Sequence, residues 1–250
     1  MKKLQLKKDN QIFSRFEFKY IINKNISKII QQEVKNFTVN DFFNDKEDKY
    51  FVRSLYFDNN IFSNFNEKID GIKNRHKFRI RTYSRKKNEL IPLYLEMKGR
   101  DNQRTFKNRT KIKYEDLNFF CSGKDLFNLK KKYFDNELLS QFIFDSYRKK
   151  IQPKVIIDYN RRALLSKNGL YFRLTFDSDI HACSSDKIFE KNHNWKICIP
   201  GNDILEVKFD LTIPPWFHRI IQNYQLKRIS VSKFVLGIES TNLAHDYEGV

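Results

Sequence analysis

The chain has 250 residues with 24 Phe and 12 Tyr, enough to build a sizeable core and too aromatic for a disordered polypeptide. Lys and Arg outnumber Asp and Glu by 48 to 30, and the resulting net charge of +18 points to a polyanionic partner: nucleic acid, acidic lipid or a phosphate polymer. No stretch approaches the roughly 18–20 consecutive apolar residues of a membrane helix. The opening MKKLQLKKDNQIF lacks a signal peptide's apolar segment, and Cys121, Cys183 and Cys198 show no CxxC spacing, so reduced thiols and a cytoplasmic location are expected.

In chain order, RFEFKYII (15–22) alternates strictly and predicts a strand with Phe16, Phe18, Tyr20 and Ile22 on one face and Arg15, Glu17 and Lys19 on the other. ISKIIQQEVKNF (26–37) has helical spacing, with Ser27 in position to cap it. FVRSLYFD (51–58), KFRIRTY (77–83) and LYLEMK (93–98) read as strands; residues 115–150 change character and predict a helical insertion. Strands resume with KVIIDYNR (154–161), LYFRLTFD (170–177), WKICI (195–199) and ILEVKFD (204–210). PPWFHRIIQNYQL (214–226) opens with prolines suited to a helix N-terminus, and VSKFVLGIE (231–239) is expected to close the pattern as a last strand. With no internal repeat or linker, one domain over residues 1–250 is expected, its core running from about 12 to 240. The fold class is α+β, dominated by antiparallel strands.

Five of these strands set charged rows opposite apolar ones: Glu17/Lys19, Lys77/Arg79/Arg81, Glu96/Lys98, Arg173/Asp177 and Glu206/Lys208. If the apolar rows pack against helices, a sheet that closes into a barrel has a polar bore. Buried unpaired charge costs several kcal/mol or more per ion, so such a bore makes sense only when wet and filled by an anionic ligand. Carboxylates mixed into the cationic rows would repel a polyanion unless they hold a metal. In Glu96-Met97-Lys98 and Glu206-Val207-Lys208, an oxygen ligand and a cation share one face about 6–7 Å apart. That combination suits Mg²⁺ or Mn²⁺ bridging carboxylate and phosphate oxygens while Arg and Lys grip the phosphates. No GxxxxGK[ST], GxSxG or HExxH motif is present, and the five histidines show no metal spacing.

The ordered series RFEFKY (15–20), SLYFD (54–58), KFRIR (77–81), LEMK (95–98), DYNRRA (158–163), RLTFD (173–177), LEVK (205–208) and SKF (232–234) closely resembles the VTC domain. This is the catalytic domain of polyphosphate polymerases within the triphosphate tunnel metalloenzyme (CYTH-like) superfamily. The resemblance implies an antiparallel β-barrel of about eight strands forming a tunnel with flanking helices. It implies transfer of the γ-phosphate of ATP onto a growing polyphosphate chain, with Mn²⁺ or Mg²⁺. By motif, Arg79, Arg81, Lys98, Arg161 and Arg173 would act in catalysis, while Lys19, Lys77, Lys208 and Lys233 would bind phosphate. Glu206 would hold the metal, with Glu17 and Glu96 as further candidates. The SPX domain and membrane segment of eukaryotic relatives have no counterpart in these residues, so a membrane protein receiving the product would be a separate partner.

Two other readings compete. Superfamily relatives hydrolyse triphosphates in a similar tunnel, so fold alone does not choose the reaction. A non-catalytic binder of polyphosphate or nucleic acid would also be basic, but inward glutamates and the lack of a stacking platform argue against nucleic acid as the main ligand.

Overall fold

A computed structural model describes residues 16–41, 49–102, 104–167, 171–189 and 194–244. Arg15 and the expected core boundary near residue 12 lie outside them. The strands are β1 (Phe16–Asn23), β2 (Thr38–Asn40), β3 (Tyr50–Asp58), β4 (Arg75–Thr82), β5 (Leu93–Asp101), β6 (Arg104–Ile112), β7 (Gln152–Ser166), β8 (Phe172–Ser184), β9 (Lys196–Ile197) and β10 (Asn202–Phe209). The helices are α1 (Lys24–Glu33), α2 (Ser63–Ile69), α3 (Leu117–Ser122), α4 (Leu126–Lys132), α5 (Glu137–Arg148), α6 (Pro215–Asn223) and α7 (Lys233–Ser240).

Eight strands form one curled antiparallel sheet in the order β1-β10-β8-β7-β3-β4-β5-β6, with β2 and β9 attached to β7 and β8. Among the described residues β1 and β6 remain edges, so the ladder does not close. Instead the sheet curls far enough for the β5 ammonium of Lys98 to reach the β1 carboxylate of Glu17 at 3.3 Å.

Alternation decides which side chains face out. Leu55, Phe78, Ile80, Leu93 and Leu95 are buried under α3–α5, against Phe120, Leu129, Leu139 and Phe142. Tyr20, Ile22, Leu174, Phe176, Leu205 and Val207 are buried under α1 and α6, against Ile30, Val34, Phe217 and Ile220. Fully burying such side chains contributes roughly 1.5–3 kcal/mol each, and this fixes the register that turns the charged rows inward.

A third cluster lies on the concave side. Val52, Val155, Ile157 and Ile204 pack against Phe65 of α2 and Phe234 and Ile238 of α7. The VSKFVLGIE segment is therefore a helix, not the expected last strand. Phe234, Gly237 and Ile238 recur at helical spacing and bury one face, and a Cβ at Gly237 would stand 2.7 Å from Ile157 Cδ1. Glycine is what lets α7 approach β7 this closely.

Three further expectations are corrected. Asn23, not Ser27, caps α1, its side chain accepting from the Asn25 N–H; Ser27 is fully buried in the first turn. WKICI forms only the two-residue β9. Strand β6 and helix α2 had not been anticipated; α2 forms because Asp58, at the end of β3, accepts from the backbone N–H groups of Asn59, Asn64 and Phe65. The helical insertion is present as α3–α5. Among the described residues no helix is long and apolar enough to cross a membrane, and all three cysteines carry free thiols.

Candidate functional site

The concave face encloses a cavity of about 920 Å³ lined by fifteen Lys and Arg residues and two Glu. Every site residue proposed from the sequence lines it except Glu96, which shares the inward face of β5 with Tyr94 and Lys98 but lies fully buried beneath Arg79 and Lys107.

Antiparallel register builds its charge pattern. β1 and β10 set Glu17 opposite Lys208 and Lys19 opposite Glu206, so that charges alternate in both directions. Lys19 Nζ lies 2.8 Å from Glu17, Lys208 Nζ 2.9 Å from Glu206 and 3.7 Å from Glu17. Burial and the neighbouring Glu206 push the Glu17 carboxyl up, but Lys98, Lys19 and Lys208 more than reverse this and hold it at about 2. Burial likewise raises Glu206, and Lys208, Lys19, Arg161 and Lys98 carry it well below the usual carboxylate range. Both are anions at any physiological pH. Burial lowers the Lys98 ammonium, with Glu17 opposing, to about 8.

On β8 and β7, Asp177 faces Arg161 and accepts a bidentate pair at 2.6 and 2.7 Å. Lys233, the first residue of α7, reaches the same carboxylate at 2.5 Å. Arg173 bonds Asp41 at 2.7 Å. On β4, Arg79 donates to Glu96 at 2.7 Å and to the Tyr56 hydroxyl at 2.8 Å, while Arg81 donates to Ser54 Oγ and to the Tyr159 hydroxyl, both at 3.2 Å. Glu96 also meets Lys107 of β6 at 2.7 Å. With Arg79 and Lys107 on its two oxygens, Glu96 orients a cavity arginine from the floor beneath it.

Toward the rim the pattern changes. Lys68, Arg75, Lys77 and Arg100 line the cavity, and among the described residues none forms an ion pair with a carboxylate. Lys77 donates to Ser232 Oγ at 3.2 Å and lies 4.7 Å from the Phe234 ring centroid. Burial, then Lys98, Lys19, Arg79 and Lys68, hold its ammonium well below the usual lysine range.

Lys68, Arg75, Arg100, Lys107 and Arg109 escaped sequence reading. Lys107 and Arg109 did carry a signal, alternating in RTFKNRTKI; Lys68 had none, since its place depends on α2 packing. Asp177 stands in a charged row of the sequence, which does not show it as the anchor of Arg161 and Lys233.

Glu17 and Glu206 are the cavity's two carboxylates, and among the described residues no three His, Cys, Asp or Glu side chains converge. Two ionised carboxylates suit a hard divalent cation that keeps water and takes phosphate oxygens for the rest of its shell, as Mg²⁺ and Mn²⁺ do.

The chain resembles three solved structures at low identity. One is a candidate adenylate cyclase of Bacillus halodurans (11% identity, 88% of this chain and 95% of that one, TM-score 0.46). Another is PH1819 of Pyrococcus horikoshii (12%, 90% and 98%, TM-score 0.46). The third is a candidate adenylyl cyclase of Hippeastrum described as having a dominant triphosphatase activity (10%, 92% and 100%, TM-score 0.49). A search of curated proteins finds no match. The VTC domain model, however, matches residues 14–242, and the chain therefore belongs to the VTC domain family.

Proposed function

We propose that the protein is a metal-dependent polyphosphate polymerase, moving the γ-phosphate of ATP onto the end of a polyphosphate chain. The observation that carries this reading is the run of unpaired cations, Lys68, Arg75, Lys77 and Arg100, beyond the paired charges around Glu17 and Glu206. A triphosphatase needs to hold three phosphates; cations continuing to the rim offer places for more.

In this reading Glu206 and Glu17 hold Mn²⁺ or Mg²⁺, which when bound would polarise the transferred phosphoryl group. Arg79, Arg81, Arg161 and Arg173 present guanidinium forks to phosphate oxygens, which they satisfy in pairs. Their direction is already set: Arg161 by Asp177, Arg79 by Glu96 and Tyr56, Arg81 by Ser54 and Tyr159. Lys19, Lys98, Lys208 and Lys233 spread positive charge along the chain. An oxygen of the polyphosphate end attacks the γ-phosphorus, the bond to the bridging oxygen breaks, and ADP leaves with that oxygen. Little is asked of the protein beyond alignment and charge stabilisation, as usual for phosphoryl transfer.

Incubation with ATP and Mn²⁺, followed by gel electrophoresis, tests the proposal. A ladder of long, phosphatase-sensitive chains with stoichiometric ADP is expected. Free phosphate without chains would make the protein a triphosphatase, and unchanged ATP would leave a binding module.

A further inference from the structure

Residues 224–232, between α6 and α7, cross the cavity rim as an irregular strap. Arg228 lies 3.8 Å from the Phe18 ring centroid, and the Ile229 N–H donates to the Lys19 carbonyl of edge strand β1 at 2.9 Å. Three further anchors are ammonium groups from three separate elements. Lys68 of α2 donates to Ser230 Oγ at 2.9 Å, Lys19 of β1 to the Val231 carbonyl at 3.3 Å, and Lys77 of β4 to Ser232 Oγ at 3.2 Å. The strap thus offers neutral oxygens to lysines that face a cavity built for anions.

An anionic phosphate oxygen attracts an ammonium group more strongly than a neutral hydroxyl or carbonyl oxygen does, because a full negative charge is added to the hydrogen bond. Lys68 and Lys77 form no ion pair among the described residues, so an arriving phosphate faces no carboxylate competitor there. It competes with Ser230 and Ser232 alone. A ligand shifts an equilibrium only through contacts that differ between its two states. Here the difference is explicit: the same ammonium groups bond the strap in one state and phosphate in the other.

We propose that residues 227–232 form a latch, held closed chiefly by Lys68 and Lys77 in the empty protein and released when an oligophosphate takes those two lysines. The inference rests on the cavity binding phosphate and adds that occupancy opens the strap. In the bound state the strap keeps only contacts that use neither Lys68 nor Lys77 (the Ile229–Lys19 backbone bond, Lys19 Nζ on the Val231 carbonyl, Arg228 on Phe18 and the partial packing of Leu226 and Val231), so it opens locally more often.

The experiment uses the full chain with and without tripolyphosphate, at matched ionic strength set with sulfate. Trypsin cleavage after Lys227 and Arg228 is followed by mass spectrometry, hydrogen exchange of 227–232 is measured alongside, and binding is measured separately by calorimetry. Bound tripolyphosphate should speed these two cleavages about tenfold while the strands become better protected. The Ser230→Ala/Ser232→Ala variant should be cut quickly even without ligand, with little further gain on binding. Tripolyphosphate that binds but protects the strap would overturn the latch alone, since lysines with spare donors would then be clamping strap and phosphate together. Tripolyphosphate that fails to bind would remove the phosphate reading and the latch with it.

Discussion

The two ends of the cavity handle charge in opposite ways. Around Glu17, Glu206 and Asp177 the protein supplies its own counterions: Lys19, Lys208, Arg161 and Lys233 each sit within 3 Å of a carboxylate. Near the rim Lys68 and Lys77 bond hydroxyls instead, at 2.9 and 3.2 Å. Paired cations are aimed and held, and their pairing supports the fold. Unpaired cations repel one another until a ligand arrives. A single change at either end should therefore affect stability with opposite sign, and this contrast can be measured.

The largest effect is expected at the paired end. Asp177 is fully buried and holds both Arg161 and Lys233. Asp177→Asn would leave two cations without their carboxylate, and breaking a buried pair by removing one partner costs roughly 3–5 kcal/mol. Urea denaturation should show the loss directly. Stability unchanged within error would mean that the Arg161–Asp177–Lys233 cluster carries no folding energy.

Next comes Glu206→Gln, which keeps size and strand pairing but removes a proposed metal ligand. Mn²⁺-dependent turnover should fall by about two orders of magnitude, or about 2.7 kcal/mol in the barrier. Binding of metal-free polyphosphate should persist or tighten, because a negative charge has left a cationic cavity. Wild-type turnover in the variant would remove Glu206 from the metal site.

How much of this contrast the sequence shows can be traced residue by residue. The inward rows are legible because strand alternation has a period of two, and Lys77/Arg79/Arg81 or Glu206/Lys208 need no partner to be recognised. Which cation meets which carboxylate is not legible. Arg161 and Asp177 pair because β7 and β8 share a ladder with a register shift between Asp158 and Asn160, and nothing local in DYNRRA announces it. The VSKFVLGIE segment reads as a strand in sequence because a short apolar run fits a strand as well as a helix; burial inside the curl, which makes it a helix, is a tertiary fact. Strand β6 hid because RTFKNRTKI has only two apolar residues, Phe106 and Ile112, six positions apart, too few to show the alternation of a half-buried strand.

The smallest effect, and the one of opposite sign, is expected at Lys77. The groups facing this ammonium include Lys98, Lys19, Arg79 and Lys68, with Ser232 and the Phe234 ring as its direct contacts. Its folded pKa lies below the usual lysine value, so between the two values the unfolded chain binds more protons and stability rises with pH. Below the folded value the penalty is present in full. Lys77→Met fills similar space without the charge, so it should stabilise the empty protein at about pH 7 by about 1 kcal/mol, or about 2–4 °C in Tm. The gain should fade as pH approaches the ordinary lysine value of about 10.4. Adding tripolyphosphate should invert the order, with the wild type gaining more Tm than the variant, because only the wild type offers the ligand a charge at that position. Differential scanning calorimetry of both proteins at the two pH values, with and without ligand, reads every part of this. A variant less stable than wild type by the same margin at both pH values would show that Lys77 serves the fold through Ser232 and Phe234, and the distinction between the two ends of the cavity would fail there.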